Sequence, residues 1–373
     1  MPFKQKEGRL ALFVPSLQGG GAERVMMLLA QAFTKQGLAV DLVLAKANGP
    51  YLEQVPPEVR IVDLQASRIL ASLPALVRYL RRERPVVLLS ALEHANIVAL
   101  WAKRLSFVPT QVVVSVHSTL RHTSLKGGCR DRLAPFLVRR VYPWAAAVVA
   151  VSQGVAKDLT DFGRLSPEKI RVVYNPVPIQ EVFDRAKEPL AHSWFAPDEQ
   201  PVILAAGRLT AAKDFGTLIR AFAMLRQEKA ARLLILGEGE ERIRLEKLVQ
   251  ELGLGRDVAM PGFVDNPFAF MSRAAVFVLS SAWEGFGNVL VEAMACGCPV
   301  VSTDCPGGPA EILENGRYGS LVPVGNVESM AKSIKSVLAL PKETEFLQQR
   351  AMDFALEKIA GEYLEVLCGN WSH

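Results

Sequence analysis

A short apolar run, a turn and a stretch of helical period follow one another along this chain; after a proline-rich break, the same pattern starts again. Leu10 to Pro15 reads as a buried strand and Val40 to Leu44 as its neighbour. Between them Val25, Leu28, Leu29, Ala32 and Phe33 recur at helical spacing, and Gly37 stands where a helix C-cap would. Further strands are predicted near Val86–Leu89, Val112–Val116 and Ala147–Val151. Residues 176–200, with Pro176, Pro178, Pro189 and Pro197, read as a linker. The pattern then resumes with strands at Val202–Ala206, Leu233–Leu236, Val276–Leu279 and Val300–Ser302, and with helices at Phe215–Arg226 and Glu240–Leu252. Strands alternating with helices predict parallel sheets covered on both faces. The expected fold class is therefore α/β, with two Rossmann-like doubly wound domains facing each other across a cleft. The predicted boundaries are 1–178, 179–344 and a C-terminal helical segment, 345–373, able to pack back on the first domain. A chain of 373 residues, half of them apolar, is long enough for two such cores.

Composition narrows the setting. The five cysteines show no paired metal-ligand spacing, since Cys296 and Cys298 form a C-x-C pair with no accompanying His or second Cys pair. They read as buried thiols in a reducing compartment. Lys4, Lys6 and Arg9 precede an apolar stretch, but Leu10 to Val14 is too short for the core of a signal peptide. No run approaches the roughly 18 apolar residues of a membrane span. The expected location is cytoplasmic. Charge is uneven: residues 1–175 carry 24 Lys and Arg against 12 Asp and Glu, and the remainder 19 against 26. The two halves are expected to meet different partners.

Four segments carry chemistry. Gln18-Gly19-Gly20-Gly21-Ala22-Glu23-Arg24 follows the first strand and opens a helix, which is either an anion site or simply a tight strand-to-helix turn. It is not the dinucleotide fingerprint, and Asp41 comes too soon to serve as a ribose acid, which disfavours a dehydrogenase. Gly207-Arg208-Leu209-Thr210-Ala211-Ala212-Lys213 holds the equivalent place in the second half. Arg208 can fork onto phosphate oxygens and Lys213 adds a compact charge, unless both are merely solvated. In Trp283-Glu284-Gly285-Phe286-Gly287-Asn288-Val289-Leu290-Val291-Glu292, two carboxylates flank a turn that opens a helix. Carboxylates accept from hydroxyls and free helix N–H groups donate to phosphate, although acids there can also just offset the helix dipole. His117 ends a strand of the first half, where a ligand role and a structural role weigh about equally.

Glu284-x₇-Glu292, with Gly207-Arg208-Leu209 and Lys213 upstream, resembles the retaining glycosyltransferases of family 4, which have the two-Rossmann GT-B architecture. Gly19 to Arg24, His117, Gly237-Glu238-Gly239, Pro261-Gly262-Phe263-Val264 and Cys305-Pro306-Gly307-Gly308-Pro309 extend the likeness over most of the chain. The resemblance implies that Arg208 and Lys213 grip the diphosphate of a nucleotide-sugar donor and that Glu292 holds the ribose hydroxyls. Glu284 would contact the transferred sugar, with N–H groups from Phe286, Gly287, Asn288 and Val289. Gly237, Phe263 and Val264 would line the nucleotide, His117 would stand near the sugar's C6 hydroxyl, and Gly19, Gly20 and Gly21 would lie under the diphosphate. Glu284, His117, Arg208 and Lys213 are the residues expected to act in catalysis. No Asp-x-Asp triplet occurs, so no metal and no separate cofactor is expected. Retention by front-face attack and domain closure over the donor are the expected mechanism.

Arg78, Arg81, Arg82, Arg84, Arg121, Lys126, Arg130, Arg132, Arg139 and Arg140, interleaved with Leu80, Leu133, Phe136, Leu137 and Trp144, suggest an anionic membrane surface as partner. A lipid-linked glycan acceptor would follow, with no nucleic acid, because no reading motif accompanies the basic residues. The Gly-Gly-Ala-Glu-Arg and Cys-Pro-Gly-Gly-Pro segments resemble members that use UDP-sugars, often N-acetylhexosamines, although Gly307 stands where many have Ser. A GDP-mannose user, a nucleotide-sugar epimerase and a non-catalytic nucleotide-sugar binding subunit remain as alternatives.

Overall fold

The computed structural model describes residues 8–121 and 129–369, those from 129 to 134 by their backbone only. Among these, two parallel sheets form. The first contains β1 (Leu10–Val14), β2 (Val40–Leu44), β3 (Arg60–Asp63), β4 (Val87–Ala91), β5 (Gln111–Val116), β6 (Ala147–Ala150) and β7 (Ile170–Val172), in the order β3-β2-β1-β4-β5-β6-β7. The second contains β8 (Val202–Ala206), β9 (Arg232–Leu236), β10 (Val258–Gly262), β11 (Val276–Leu279), β12 (Val300–Thr303) and β13 (Ser320–Val322), in the order β10-β9-β8-β11-β12-β13. Each order reverses once, between β1 and β4 and between β8 and β11. That reversal makes a doubly wound sheet with a crevice at the carboxyl ends of the two central strands.

The central strands were the legible ones. β1 and β2 are buried at all five positions, because helices cover both faces of a parallel sheet and no polar alternation survives. The sequence reading missed β3, β7, β10 and β13. All four are outermost in their sheets, and β3, with the sequence RIVD, shows no buried position at all. A short edge strand needs no apolar run, so it leaves little sequence signal.

The chain divides into one unit comprising Met1–Pro176 and Leu356–His373, and another comprising Val177–Ala355. Val177 and Ala355, the first and last residues of the second unit, pair as an isolated parallel bridge. The predicted C-terminal helical segment contains two helices, Thr344–Ala351 and Leu356–Leu367. They are separated by a 3₁₀ turn at Met352–Phe354 and by Ala355 in extended conformation, with φ −59° and ψ 141°. No Gly or Pro marks the break, so only the packing reveals it. The second helix places Leu356, Ile359, Ala360, Tyr363 and Leu367 in the first unit's core, at the spacing of one helical face.

A buried carboxylate ties the outer strands of the first sheet to a helix. Asp41 on β2 is fully buried. It accepts from Arg9 Nη1 at 2.6 Å, Arg60 Nε at 2.8 Å and Tyr79 Oη at 2.7 Å. Arg60 also reaches Glu83 at 2.7 Å. Tyr79 and Glu83 belong to the helix Leu73–Glu83. Burial alone would raise the Asp41 pKa, but the hydrogen bonds from Arg60, Tyr79 and Arg9 outweigh it and hold it below the ordinary carboxylate value. Replacement by Ala strands the buried Tyr79 phenol and takes from Arg9 and Arg60 the carboxylate they share. We expect Asp41→Ala to cost about 3 kcal/mol in chemical denaturation. A depressed folded-state pKa gives stability that is present above the unfolded value of roughly 3.9 and is lost as acid titrates toward the folded one. The difference between wild type and variant should therefore shrink below about pH 4 in a pH series of the same measurement.

Candidate active site

In the second unit the crevice is built by the loops that follow β8 and β11. Gly207 to Asp214 lead from β8 into the helix Phe215–Arg226, which is capped by Asp214. Ser280 to Gly287 lead from β11 into the helix Asn288–Ala295. The two loops are stitched together. Ala282 N–H donates to Ala212 O at 2.8 Å, and Ser280 Oγ donates to Lys213 O at 2.7 Å. Lys213 Nζ lies 2.5 Å from Glu284 Oε1, which also accepts from Ser281 Oγ at 2.6 Å. Ser281 is itself fixed, since its carbonyl accepts from Thr303 Oγ1 at 2.6 Å. An ammonium has three N–H donors. One is directed at Glu284, and the others remain for anionic oxygens at the same spot.

Glycines hold this arrangement by permitting backbone contact. Gly307 has φ +130°, and any Cβ there would overlap the Glu284 carbonyl. Pro306 O accepts from Glu284 N–H at 3.0 Å, so the Cys305–Pro309 segment supports the Glu284 backbone directly. Gly237, with φ +132°, abuts the Gly207 carbonyl too closely for a Cβ, and its N–H donates to Gly262 O at 2.8 Å. Gly237 thus lets the loops after β8, β9 and β10 lie edge to edge.

The other residues singled out from the sequence take varied positions. Glu292, five residues into its helix, is 7% exposed. Gly287 has φ +106° and turns the chain into the helix, so Asn288 and Val289 form its first turn, while Phe286 is buried beneath it. Val264 is half-buried, whereas Phe263 is 81% exposed. Arg208 is not part of the Lys213–Glu284 cluster: its side chain is 77% exposed and stands 3.6 Å from Glu240. Ser281 was missed by the sequence reading; its place three residues before Glu284 was the available signal.

In the first unit the corresponding loop follows β1. Gly19 has φ +106°, and nothing lies within 4 Å of a Cβ built on Gly19 or Gly21, the latter opening the helix Gly21–Lys35. The Gly20 N–H is not free for an external anion, however, because it donates to Glu23 Oε2 at 2.5 Å. Glu23 thereby occupies one of the donors that the glycine run was read as offering. At the neighbouring crevice wall Leu92 begins the helix Glu93–Ser106 with φ +76° and ψ 135°, a strained backbone for Leu. His117, just after β5, has Nε2 3.0 Å from Ser115 Oγ, which is 3.3 Å from Tyr363 Oη. Among the described residues its Nδ1 has no partner. Burial pushes the imidazole pKa down to about 4, so the ring is neutral at neutral pH.

The basic and apolar residues of the first unit sort differently from the sequence grouping. Leu80 is fully buried, and Trp144 is engaged edge-on by Trp101 at 5.1 Å and by Arg104 at 4.6 Å. Arg139 donates to Phe162 O at 2.7 Å. Lys126 lies outside the described residues, as do the side chains of Arg130, Arg132 and Leu133. What is exposed together is Phe107, at 89%, with Leu105, Arg78, Arg81 and Arg82 lining one groove. Arg81 is held there by the carbonyls of Leu105 and Ser106. Among the described residues no helix is long and apolar enough to cross a membrane, and no cluster of three His, Cys, Asp or Glu could hold a metal.

The chain is similar to known proteins. Residues 187–353 match the family described as glycosyl transferases group 1, and residues 19–181 that described as glycosyltransferase family 4. A Campylobacter jejuni protein named N-acetylgalactosamine-N,N'-diacetylbacillosaminyl-diphospho-undecaprenol 4-alpha-N-acetylgalactosaminyltransferase is 32% identical over 97% of this chain and 100% of its own length. The lipopolysaccharide core biosynthesis glycosyltransferase LpsE of Rhizobium meliloti is 30% identical over 93% of this chain and 96% of its own. Among solved structures, sucrose-phosphate synthase of Thermosynechococcus elongatus superposes with a TM-score of 0.82 at 23% identity, covering 96% of this chain and 98% of that one. Anabaena Alr3699/HepE in complex with UDP-glucose gives 0.79 at 22%, covering 97% and 100%. With its two Rossmann-like domains, the chain belongs to the group 1, family 4 glycosyltransferases and is a glycosyltransferase of the GT-B fold.

Proposed function

We propose that the protein transfers an N-acetylhexosamine or hexose from a UDP-sugar to a lipid-linked glycan, with retention of anomeric configuration and without a metal. The observation that carries this reading is the Lys213–Glu284–Ser281 cluster at the carboxyl ends of β8 and β11. Departure of a nucleoside diphosphate builds negative charge on its oxygens. Preorganised donors at that point lower the barrier most. Lys213, backed by the N–H groups at the start of the helix Asn288–Ala295, supplies them, and Arg208 can swing in from solvent to add a bidentate contact. Glu284, held by Ser281, accepts from a hydroxyl of the sugar. Glu292 takes the ribose hydroxyls, Phe263 and Val264 the base, and His117 the sugar's C6 hydroxyl. The acceptor's attack from the leaving-group side, its proton passing to a phosphate oxygen, gives retention. The name of the Campylobacter relative, which specifies an undecaprenol-linked acceptor and transfer of N-acetylgalactosamine, supports the acceptor class and the kind of sugar.

On this reading the protein works at the cytoplasmic face of a membrane, which a lipid-linked acceptor supports, and the exposed Phe107 groove with its arginines supports contact with an anionic bilayer. An exposed aromatic and a leucine can enter the interface while Arg78, Arg81 and Arg82 face headgroups.

Thermal shift against UDP-sugars and GDP-mannose in EDTA tests the donor. One UDP-sugar at about 100 times its Kd should add roughly 2.7 kcal/mol to stability. Lys213→Ala should weaken that binding roughly 10- to 100-fold, the worth of a charge-assisted hydrogen bond. A shift with GDP-mannose alone, or with no nucleotide sugar, would defeat the donor assignment. NMR of the product should show the donor's anomeric configuration, and an inverted anomer defeats retention. For the membrane, flotation with anionic vesicles at low salt should recover the wild type. The Arg78→Gln, Arg82→Gln double variant should bind roughly 30-fold more weakly, at about 1 kcal/mol per arginine. Equal recovery of both removes this surface from the membrane reading.

A further inference from the structure

Three buried polar groups of the first unit form a chain that ends at His117. Tyr363 comes from the helix Leu356–Leu367, the last helix of the protein, and Ser115 from β5. Both are fully buried. Tyr363 Oη has one side-chain neighbour within hydrogen-bond reach, Ser115 Oγ at 3.3 Å, and Ser115 Oγ has a second, His117 Nε2, at 3.0 Å. The carbonyl of Ser115 is occupied by Asn96 Nδ2 at 2.9 Å. Of the Tyr363, Ser115 and His117 side chains, the buried atom with no partner among the described residues is His117 Nδ1.

The direction of the chain follows from donor bookkeeping. A phenol has one O–H, a serine one O–H and a neutral imidazole one N–H. If His117 carried its proton on Nε2 and donated to Ser115, Ser115 would donate to Tyr363. The phenolic O–H would then be stranded in the core, and Nδ1 would lack a donor as well. If Tyr363 donates to Ser115 and Ser115 to Nε2, both hydroxyls are satisfied, and one unmet group remains, an N–H on Nδ1. Unmade buried hydrogen bonds are costly, so the second arrangement wins. The neutral ring that burial enforces is the state this arrangement requires.

We infer that Ser115, which accepts from Tyr363 and donates to Nε2, holds His117 in the Nδ1–H tautomer, so that Nδ1 donates a hydrogen bond to a neutral oxygen of the transferred sugar, a hydroxyl or an amide carbonyl. Ser115 is the positioning residue in this scheme, and Tyr363 of the last helix satisfies the acceptor side of its hydroxyl. A neutral donor suits an uncharged sugar oxygen. The inference rests on the reading of His117 as a sugar contact, and its test separates the two.

The experiment is nitrogen-15 NMR of the full chain with labelled histidine, the His117 signals being identified from His117→Gln. The wild type should show the proton on Nδ1. Ser115→Ala, which removes the hydroxyl that donates to Nε2, should shift the population toward Nε2–H and lower kcat and kcat/KM together by about tenfold, the mark of a contact made in the transition state. Tyr363→Phe, which removes only an oxygen and leaves the Ser115 O–H on Nε2, should keep the proton on Nδ1. Circular dichroism and thermal unfolding establish that each variant is folded. A wild-type proton on Nε2, or a tautomer unchanged in Ser115→Ala, overturns the chain. The expected tautomers combined with wild-type turnover by His117→Gln overturn its part in transfer and, with it, the assignment of His117 as a sugar contact.

Discussion

A parallel sheet must be covered on both faces, and a connection between neighbouring parallel strands is right-handed and crosses over one face. Covering both faces therefore requires the chain to start in the middle of the sheet, wind outward one way, return and wind out the other way. Both units do this, with β1 beside β4 and β8 beside β11. At that reversal the loops leave in opposite directions and a crevice opens. Lys213 and Glu284, 71 positions apart in sequence, meet because their loops are the two that leave β8 and β11. The first unit places its glycine turn after β1 in the same way, with the strained Leu92 beyond β4 and His117 beyond β5.

The two units handle charge differently. In the first, Asp41 is deeply buried and saturated by Arg9, Arg60 and Tyr79, so its charge is spent on joining strands to a helix. In the second, Lys213 and Glu284 sit at a loop junction with some side-chain exposure and spare hydrogen-bonding capacity. The first arrangement stabilises the fold, and the second can accept a ligand. The same division explains Glu23. Its carboxylate closes on Gly20, which steadies the glycine turn at the expense of one donor that the turn would otherwise present.

The sequence motifs mixed two kinds of requirement that only the structure separates. Gly237 and Gly307 belong to motifs read as nucleotide-binding, yet each is explained by a neighbouring carbonyl that leaves no room for a Cβ. Their contribution is to hold the loops that carry Lys213 and Glu284. Arg208, read from sequence as the partner of Lys213, stands in solvent against Glu240, because a long side chain at a loop's outer edge has nothing to order it. Ser281 and Ser115 escaped notice because a serine near a motif carries no pattern of its own. Their importance lies in what their hydroxyls touch.

By itself the sequence determined the central strands, the doubling of the fold and the strand ends where chemistry would gather, because these depend on apolar periodicity and on glycine-bearing turns, which are local properties. It also determined the family, through motif residues whose order along the chain mirrors the order of the loops. The tertiary structure alone decided the edge strands, whose pairing needs no apolar signature, and the break at Ala355, where no breaker residue stands. It alone brought Tyr363 from the last helix against Ser115, 248 positions away. Contacts of that range arise from how helices cover a sheet, and no local pattern in the chain encodes which buried hydroxyl will face which.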